Sequence, residues 1–189
     1  MIPEILQKDA PVLRKKAAEV PLAKIKSAKV QKVLKDMASA LSTQDDGVAL
    51  AAPQIGVSLR IFIVAKAALK MPERVEERQR MEERKKLKQA EGFLTFINPA
   101  IAKLSREKAV LDEGCLSVRP LYGKIRRSKK ATIRAYDEYG KFFERGASGL
   151  LAQIFQHETD HLEGILFTDK ATELREMPGE ERVEGRKST

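Results

Sequence analysis

Residues 149–164 read GLLAQIFQHETDHLEG, and this stretch has the pattern of a helix that carries a metal site. It holds the only two histidines of the chain, His157 and His161, with Glu158 directly after the first. Residues four apart lie on the same face of a helix, so both imidazoles can point at one ion. The adjacent glutamate can then reach a water molecule at that ion. The His-Glu-x-x-His spacing therefore predicts a metal-binding helix.

Two histidines need at least one more ligand, because a catalytic metal site usually has three protein ligands and one open position. Downstream, Glu163, Glu173 and Glu176 offer carboxylates, as in a protease-type site. Upstream, the only cysteine is Cys115, inside Asp-Glu-Gly-Cys-Leu-Ser at 112–117. A lone cysteine is most often a small buried hydrophobic residue. A Cys-His-His set would leave a tetrahedral metal one position for water, so these residues alone leave both ligand sets open.

A third stretch, GVALAAPQIG at 47–56, is rich in small residues. Alanine, glycine and proline suit a turn where two backbones approach closely. Gln54 is the only polar side chain within the stretch. Its amide is either a buried structural group or an oriented hydrogen-bond donor.

The remaining pattern predicts an α+β fold. Apolar residues at helical spacing predict a helix over 30–42, whereas the β-branched and aromatic runs predict strands. The predicted strands are 59–65, 93–99 ended by Pro99, and a hairpin from 131–137 and KFFERGA. Ser148 is a candidate N-cap of the metal helix and Gly164 a candidate stop. We expect mixed or antiparallel sheets around the buried metal helix.

The length of 189 residues suits one domain, which we expect to span residues 1–170. Charged residues occupy 14 of the 23 positions from 70 to 92, and we expect residues 66–92 to form a solvated helical insertion. Residues 171–189 are predicted to be a polar C-terminal tail.

The net charge of +9 favours contact with nucleic acid or another anionic surface. The basic run KIRRSKK at 124–130 is the strongest local candidate for such a contact.

A single cysteine excludes an internal disulfide framework and suggests a reducing compartment. No apolar run approaches the roughly 18 residues of a membrane helix, so we expect no membrane partner.

Taken together, the three motifs resemble those of the peptide deformylase family. In that family they follow the order G-x-G-Φ-A-A-x-Q, E-G-C-Φ-S and H-E-x-x-H, where Φ is apolar. Here they are GVALAAPQ at 47–54, EGCLS at 113–117 and HETDH at 157–161. The similarity extends from about residue 3 to about residue 170. The charged insertion is one departure from the family pattern, and Ala49 in place of the usual glycine is another.

The resemblance implies a metal-dependent hydrolase that removes the formyl group from formyl-methionyl nascent peptides in the cytoplasm. The metal is expected to be Fe²⁺, with Zn²⁺ and Ni²⁺ as alternative occupants. The implied ligands are Cys115, His157 and His161. Glu158 is the implied general base, and the Gln54 side chain and the Leu116 backbone N–H are the implied donors to the developing oxyanion.

The resemblance also implies residues around these groups. The candidates for binding the substrate and its methionine side chain are Gly47, Ala49, Leu111, Val118, Leu150 and Ile154. The candidates for hydrogen-bonding around the metal ligands are Asp46, Ser117, Arg127, Gln156 and Asp160. A basic surface would in addition hold the enzyme near ribosomal RNA.

Two other functions are compatible with parts of the pattern. A metalloprotease shares the His-Glu-x-x-His helix but has no use for Cys115. A basic ribosome- or RNA-binding module without catalysis would explain the net charge but not the three motifs. Metal retention after Cys115→Ser would favour the protease, and turnover of a formylated peptide would exclude the RNA-binding module.

Overall fold

The computed structural model describes residues 2–69 and 92–176. These residues form two α-helices and two antiparallel sheets, which confirms the α+β prediction. The helices are α1 (Ala28–Ser42) and α2 (Gly149–Leu162). The strands are β1 (Ala49–Ala51), β2 (Ile61–Ala65), β3 (Phe93–Leu104), β4 (Lys108–Gly114), β5 (Leu121–Ser128), β6 (Lys130–Tyr136), β7 (Phe142–Ser148) and β8 (Thr172–Glu176). One sheet has five strands in the order β1-β2-β3-β6-β7, and the other has three in the order β4-β5-β8.

Strand β2 is apolar throughout because both faces of the five-stranded sheet are covered. Phe62 and Val64 belong to the apolar cluster around α2. Ile61 and Ile63 point to the opposite face and pack with α1 through residues such as Met37. Because side chains alternate along a strand, one uninterrupted apolar run packs against α2 on one face of the sheet and against α1 on the other.

Helix α2 packs one side against the five-stranded sheet through aromatic contacts. Phe155 lies 5.3 Å from Phe96 and 6.4 Å from Phe62, measured between ring centroids. Phe62 and Phe96 stack on each other at 4.5 Å. The opposite side of α2 faces β5 and carries the polar residues of the predicted metal site. The helix is therefore held between the two sheets, as predicted.

Strand β3 continues past Pro99 to Leu104, so the predicted end at Pro99 is wrong. The pairing of β3 with β6 shifts register between Ile97 and Ala100, which marks a β-bulge. Asn98 in this bulge has φ +50°, and its side chain bonds both the N–H and the C=O of Val20. A bulge removes the need for a ladder hydrogen bond from proline, so the strand can resume beyond it.

The three-stranded sheet was not predicted as a unit. The alternation of apolar and polar residues is broken in β4 and β5, because Glu113 and Arg127 are buried while Val110 is 62% exposed. Residues 172–176, predicted to belong to a polar tail, pair with β5 as strand β8.

The predicted charged helical insertion is described only in part. Residues 66–69 form a short 3₁₀ helix, and 70–91 lie outside the described residues. Residues 177–189 also lie outside them. Neither described α-helix has the length and apolarity needed to span a bilayer.

The predicted boundaries of the metal helix are close to those observed. Ser148 occupies the N-cap position, although its side chain makes no capping hydrogen bond. Gly164 follows the C-cap with φ +74°, a left-handed conformation that glycine adopts without strain. A Cβ at Gly164 would lie 2.8 Å from the carbonyl carbon and oxygen of Arg14, so the N-terminal segment passes directly over this turn.

Gly164→Ala should destabilise the fold by about 3 kcal/mol or more, because it adds a backbone collision to the left-handed strain. Gly140→Ala is the matched control, since Gly140 has φ +79° but its nearest neighbour would be 3.9 Å away. The control should lose only about 1 kcal/mol. Urea unfolding of both variants measures the difference. Equal losses would contradict the collision with Arg14.

Candidate active site

The three predicted ligands meet in one cluster. One ligand atom from each of Cys115, His157 and His161 lies within 4.8 Å of the other two. The Cys115 Sγ is 3.2 Å from the His161 Nε2. Helix α2 presents both imidazoles to this point, and the turn after β4 presents the thiol. One sulfur and two nitrogens at these separations fit a divalent transition metal, so the chain has a Cys-His-His metal site.

A buried ion-pair network orients His157. Its Nδ1 lies 2.6 Å from the Glu113 Oε1, which leaves Nε2 for the metal. Arg127 binds the same carboxylate through two nitrogens, at 2.7 and 3.1 Å, and donates to Asp160 at 2.6 Å. Burial raises the pKa of Glu113, but the hydrogen bonds from His157 and Arg127 outweigh it and lower the pKa to about 2. Glu113 is therefore an anion that fixes the ring orientation.

Glu158 is 4% exposed and lines a cavity that Cys115 and His157 also line. Its Oε2 has no hydrogen-bond partner among the described residues. Burial raises its pKa to about 7, with the nearby Glu113 charge acting in the same direction and His157 opposing it. A carboxylate with an open oxygen in a partly dry cavity can accept a proton and give it back.

The Gln54 amide is buried and faces the cysteine motif. Its Oε1 accepts from the Ala51 N–H at 2.8 Å, which aims Nε2 at the Ser117 Oγ (3.1 Å) and the Cys115 Sγ (3.5 Å). The structure therefore supports the second of the two roles considered for the Gln54 amide, that of an oriented hydrogen-bond donor. The Leu116 N–H makes no hydrogen bond to any other described residue. Both groups can therefore donate to an oxygen in the cavity.

A cavity of about 370 Å³ opens above these groups. Four of the predicted substrate-binding residues line it, namely Gly47, Ala49, Leu150 and Ile154. Gln153 also lines it and donates to the Asp112 carbonyl at 2.9 Å, which ties α2 to β4. Helix α2 thus gives the cavity an apolar patch at Leu150 and Ile154 and polar groups at Gln153, His157 and Glu158.

Two predicted pocket residues lie elsewhere, so their assignment is corrected. Val118 is 1% exposed and packs with Leu13, Ile125 and Phe167 in a separate apolar cluster. It follows a turn that reverses the chain after Cys115, so its side chain points into the core. Leu111 is half-buried on β4 but does not line the cavity.

The five residues predicted to support the ligands divide into two groups. The Ser117 N–H lies 3.4 Å from the Cys115 Sγ, Arg127 bonds Glu113, the partner of His157, and Asp160 in turn bonds Arg127. Gln156 instead bonds both backbone groups of Ser128 and so ties α2 to β5. Asp46 forms an ion pair with Arg119 at the cavity wall and touches no ligand.

The basic run 124–130 is largely neutralised. Lys124 pairs with Glu173 and Lys129 with Glu107, while Arg127 belongs to the buried network. Only two of its five basic residues, Arg126 and Lys130, have no ion pair with a described residue. The run therefore does not form the basic surface that the sequence suggested.

Sequence reasoning missed the role of Glu113 toward His157, and it missed Asp112, Arg119 and Tyr122 on the cavity wall. Glu113 lies two residues before Cys115 on β4, so its side chain could have been placed beside the cysteine by strand alternation. Nothing in the local sequence marks the other three, because neither β4, which carries Asp112, nor β5 and the turn before it, which carry Tyr122 and Arg119, was recognised.

Comparisons with known proteins agree with this site. The family model described as "Polypeptide deformylase" matches residues 2–177. Peptide deformylase from Fusobacterium nucleatum is 37% identical over 175 residues, which cover 92% of this chain and 86% of that protein. Peptide deformylase 1A of Arabidopsis thaliana, named chloroplastic/mitochondrial, is 38% identical over 169 residues. That match covers 89% of this chain but only 61% of the plant protein.

A solved structure gives the same result. The Met-Ala-Ser-bound class I type b peptide deformylase from Acinetobacter baumannii superposes with a TM-score of 0.73 at 27% identity, covering 90% of this chain and 98% of that one. These matches are deformylases, so the metalloprotease and non-catalytic RNA-binding hypotheses are wrong. The chain belongs to the polypeptide deformylase family.

Proposed function

We propose that this chain hydrolyses the N-terminal formamide of formyl-methionyl nascent peptides. The observation that carries the proposal is the convergence of Cys115, His157 and His161 with Glu158 and the Gln54 amide on one cavity. Hydrolysis adds the oxygen of water to the formyl carbon and breaks the carbon–nitrogen bond. The products are formate and a peptide with a free amino terminus.

Cys115, His157 and His161 would hold the metal, which we propose to be Fe²⁺, with Zn²⁺ or Ni²⁺ as alternative occupants. Thiolate and imidazole donors accept all three ions, and their availability in the cell decides among them. When bound, such an ion supplies Lewis-acid chemistry, polarising a carbonyl and lowering the pKa of water. Glu113, held by Arg127, keeps the His157 ring in the orientation that this role needs.

Glu158 acts as general base and then as general acid. It takes a proton from the attacking water and delivers it to the departing amine nitrogen. Its burial excludes bulk water from the exchange. The Gln54 Nε2 and the Leu116 N–H donate to the oxygen of the formyl group as negative charge develops there.

The methionine side chain would lie against Leu150 and Ile154, with the peptide backbone beside Gly47 and Ala49. The Acinetobacter relative, solved with Met-Ala-Ser, supports a methionine-led peptide as the ligand of this cavity. Formyl is the smallest acyl group, so close contact around the reacting carbon would exclude acetylated peptides by size.

We further propose that the enzyme works in the cytoplasm and approaches the ribosome through exposed lysines. A reducing compartment keeps an unbound cysteine such as Cys115 in the thiol form that can bind a metal. Because the run 124–130 is neutralised, the basic surface would come from α1 and the segment before it. The exposed lysines there that have no ion pair with a described residue are Lys24, Lys26, Lys29 and Lys35, whereas Lys32 pairs with Asp36.

Labelling of Cys115 by iodoacetamide should be at least about tenfold slower in metal-loaded than in metal-stripped protein, because a coordinated thiolate is protected. Cys115 is the only cysteine, so any label reports on this site. Mass spectrometry follows the labelled fraction with time, and urea-unfolded protein gives the maximal rate. Equal labelling of the two folded forms would contradict the ligand assignment.

Glu158→Gln should lower kcat by about 10²–10⁴-fold on formyl-Met-Ala-Ser, while metal content stays near that of the wild type. Formate release is the measurement, and acetyl-Met-Ala-Ser is the substrate control. Glu144→Gln is the matched control variant, since Glu144 is exposed on β7 and pairs with Arg134. Absence of formate release by the wild type would refute the proposed function, and an active Glu158→Gln variant would refute the proton-transfer role.

A further inference from the structure

The N-terminal segment passes behind the active site and contacts all three motif regions. The Leu6 N–H donates to the Gln54 carbonyl at 2.9 Å, and the Ala17 N–H donates to the Leu162 carbonyl at the end of α2 at 2.9 Å. Between them, the Gln7 side chain reaches the Leu116 carbonyl at 3.2 Å. Consecutive residues of this segment thus hold the two residues that carry the proposed oxyanion donors.

The peptide group between Leu116 and Ser117 is held at both ends. Its carbonyl accepts from the Gln7 Nε2, and its N–H, which belongs to Ser117, lies 3.4 Å from the Cys115 Sγ. A peptide group is planar, so fixing both ends fixes the orientation of the whole unit. One hydrogen bond from Gln7 therefore bears on two groups of the site, the Leu116 backbone and the Cys115 sulfur.

The orientation of the Gln7 amide follows from its partners. Its Nε2 lies 3.2 Å from the carbonyl oxygens of both Ile5 and Leu116. Two carbonyl acceptors require the –NH₂ side of the amide, which has two hydrogens to donate. The contact with Ile5 is local, so it holds the side chain ready for the distant carbonyl.

Hydrogen bonds in series strengthen one another, because each polarises the group between them. Donation from Gln7 to the Leu116 carbonyl makes the Ser117 N–H a better donor to the cysteine sulfur. That donation draws electron density from the sulfur, and sulfur donor strength governs a bound metal. The hydrogen bond from Gln7 also limits rotation of the Leu116–Ser117 peptide plane about the Leu116 Cα–C bond, next to the Leu116 N–H.

We propose that Gln7 is a positioning residue of the active site, which sets the Leu116–Ser117 peptide and through it the Leu116 N–H and the Cys115 sulfur. The proposal rests on the proposed function for the role of the Leu116 N–H, but its effect on the sulfur does not. Gln7 is exposed and does not itself line the cavity, and its side chain reaches the site through the Leu116 carbonyl.

Gln7→Met tests this, because methionine keeps the length of the side chain and removes the donor. Gln31→Met is the matched control. Gln31 also donates to two carbonyls, those of Ile25 and Glu138, at 3.0 Å each, and it is not among the residues that line the cavity. Each variant is prepared with Co²⁺, and its metal content and melting temperature are recorded beside those of the wild type.

Two readouts are compared. The thiolate-to-cobalt charge-transfer band should shift in Gln7→Met and stay at the wild-type wavelength in Gln31→Met. On formyl-Met-Ala-Ser, kcat should fall about three- to tenfold in Gln7→Met with KM within about twofold, as expected for one lost hydrogen bond. Gln31→Met should keep the wild-type kcat.

A charge-transfer band or a kcat that stays at the wild-type value in Gln7→Met would overturn the proposal. So would equal losses in both variants, since these would indicate general destabilisation. The band is read without turnover, so it tests Gln7 even if the wild type releases no formate. If the wild type released no formate, the proposed function would be refuted, and so would the part of the Gln7 proposal that concerns the Leu116 N–H. The part that concerns the Cys115 sulfur would still be decided by the band.

Discussion

The fold depends on burying a helix that is apolar on one side and carries ionisable groups on the other. Phe155 of α2 enters the aromatic cluster of the five-stranded sheet, while His157 and His161 face the second sheet. Buried charges are costly unless they are paired and hydrogen-bonded. The Glu113–Arg127–Asp160 network supplies that pairing, so the same contacts that allow the helix to be buried also orient His157.

The three motifs are linked to one another by direct contacts. A Cβ at Gly47 would lie 2.9 Å from the side chain of Leu116, so the first motif leaves no space beside the second. Gln54 bonds Ser117, and Glu113 bonds His157 across 44 positions of sequence. The position of each motif therefore depends on contacts with the others, although they lie far apart in the chain.

The sequence predicted the parts of the fold that depend on local periodicity. Helix α1 and strand β2 were recognised because their apolar residues follow helical spacing or form a run covered on both faces. The two histidines were recognised because spacing by four on a helix is a local property. Strands β4 and β5 were missed because the charged Glu113 and Arg127 point inward and the apolar Val110 points outward. The end of β3 was predicted too early because Pro99 lies in a bulge, which lets the strand continue. Glu113 was missed as the partner of His157 because that contact depends on the missed sheet.

Ala49 shows how one departure from the family pattern is accommodated. A methyl group is harmful where a backbone has positive φ or where a neighbour occupies the Cβ position. The described non-glycine residues with positive φ are Asn98 and Glu173, so Ala49 carries no such strain. Its side chain is 7% exposed and belongs to the apolar cluster around α2, while the residue also borders the cavity. The added methyl thus packs as a core group. A Cβ at Gly47, two residues earlier, would lie 2.9 Å from methyl groups of Leu41 and Leu116, so those side chains would have to shift.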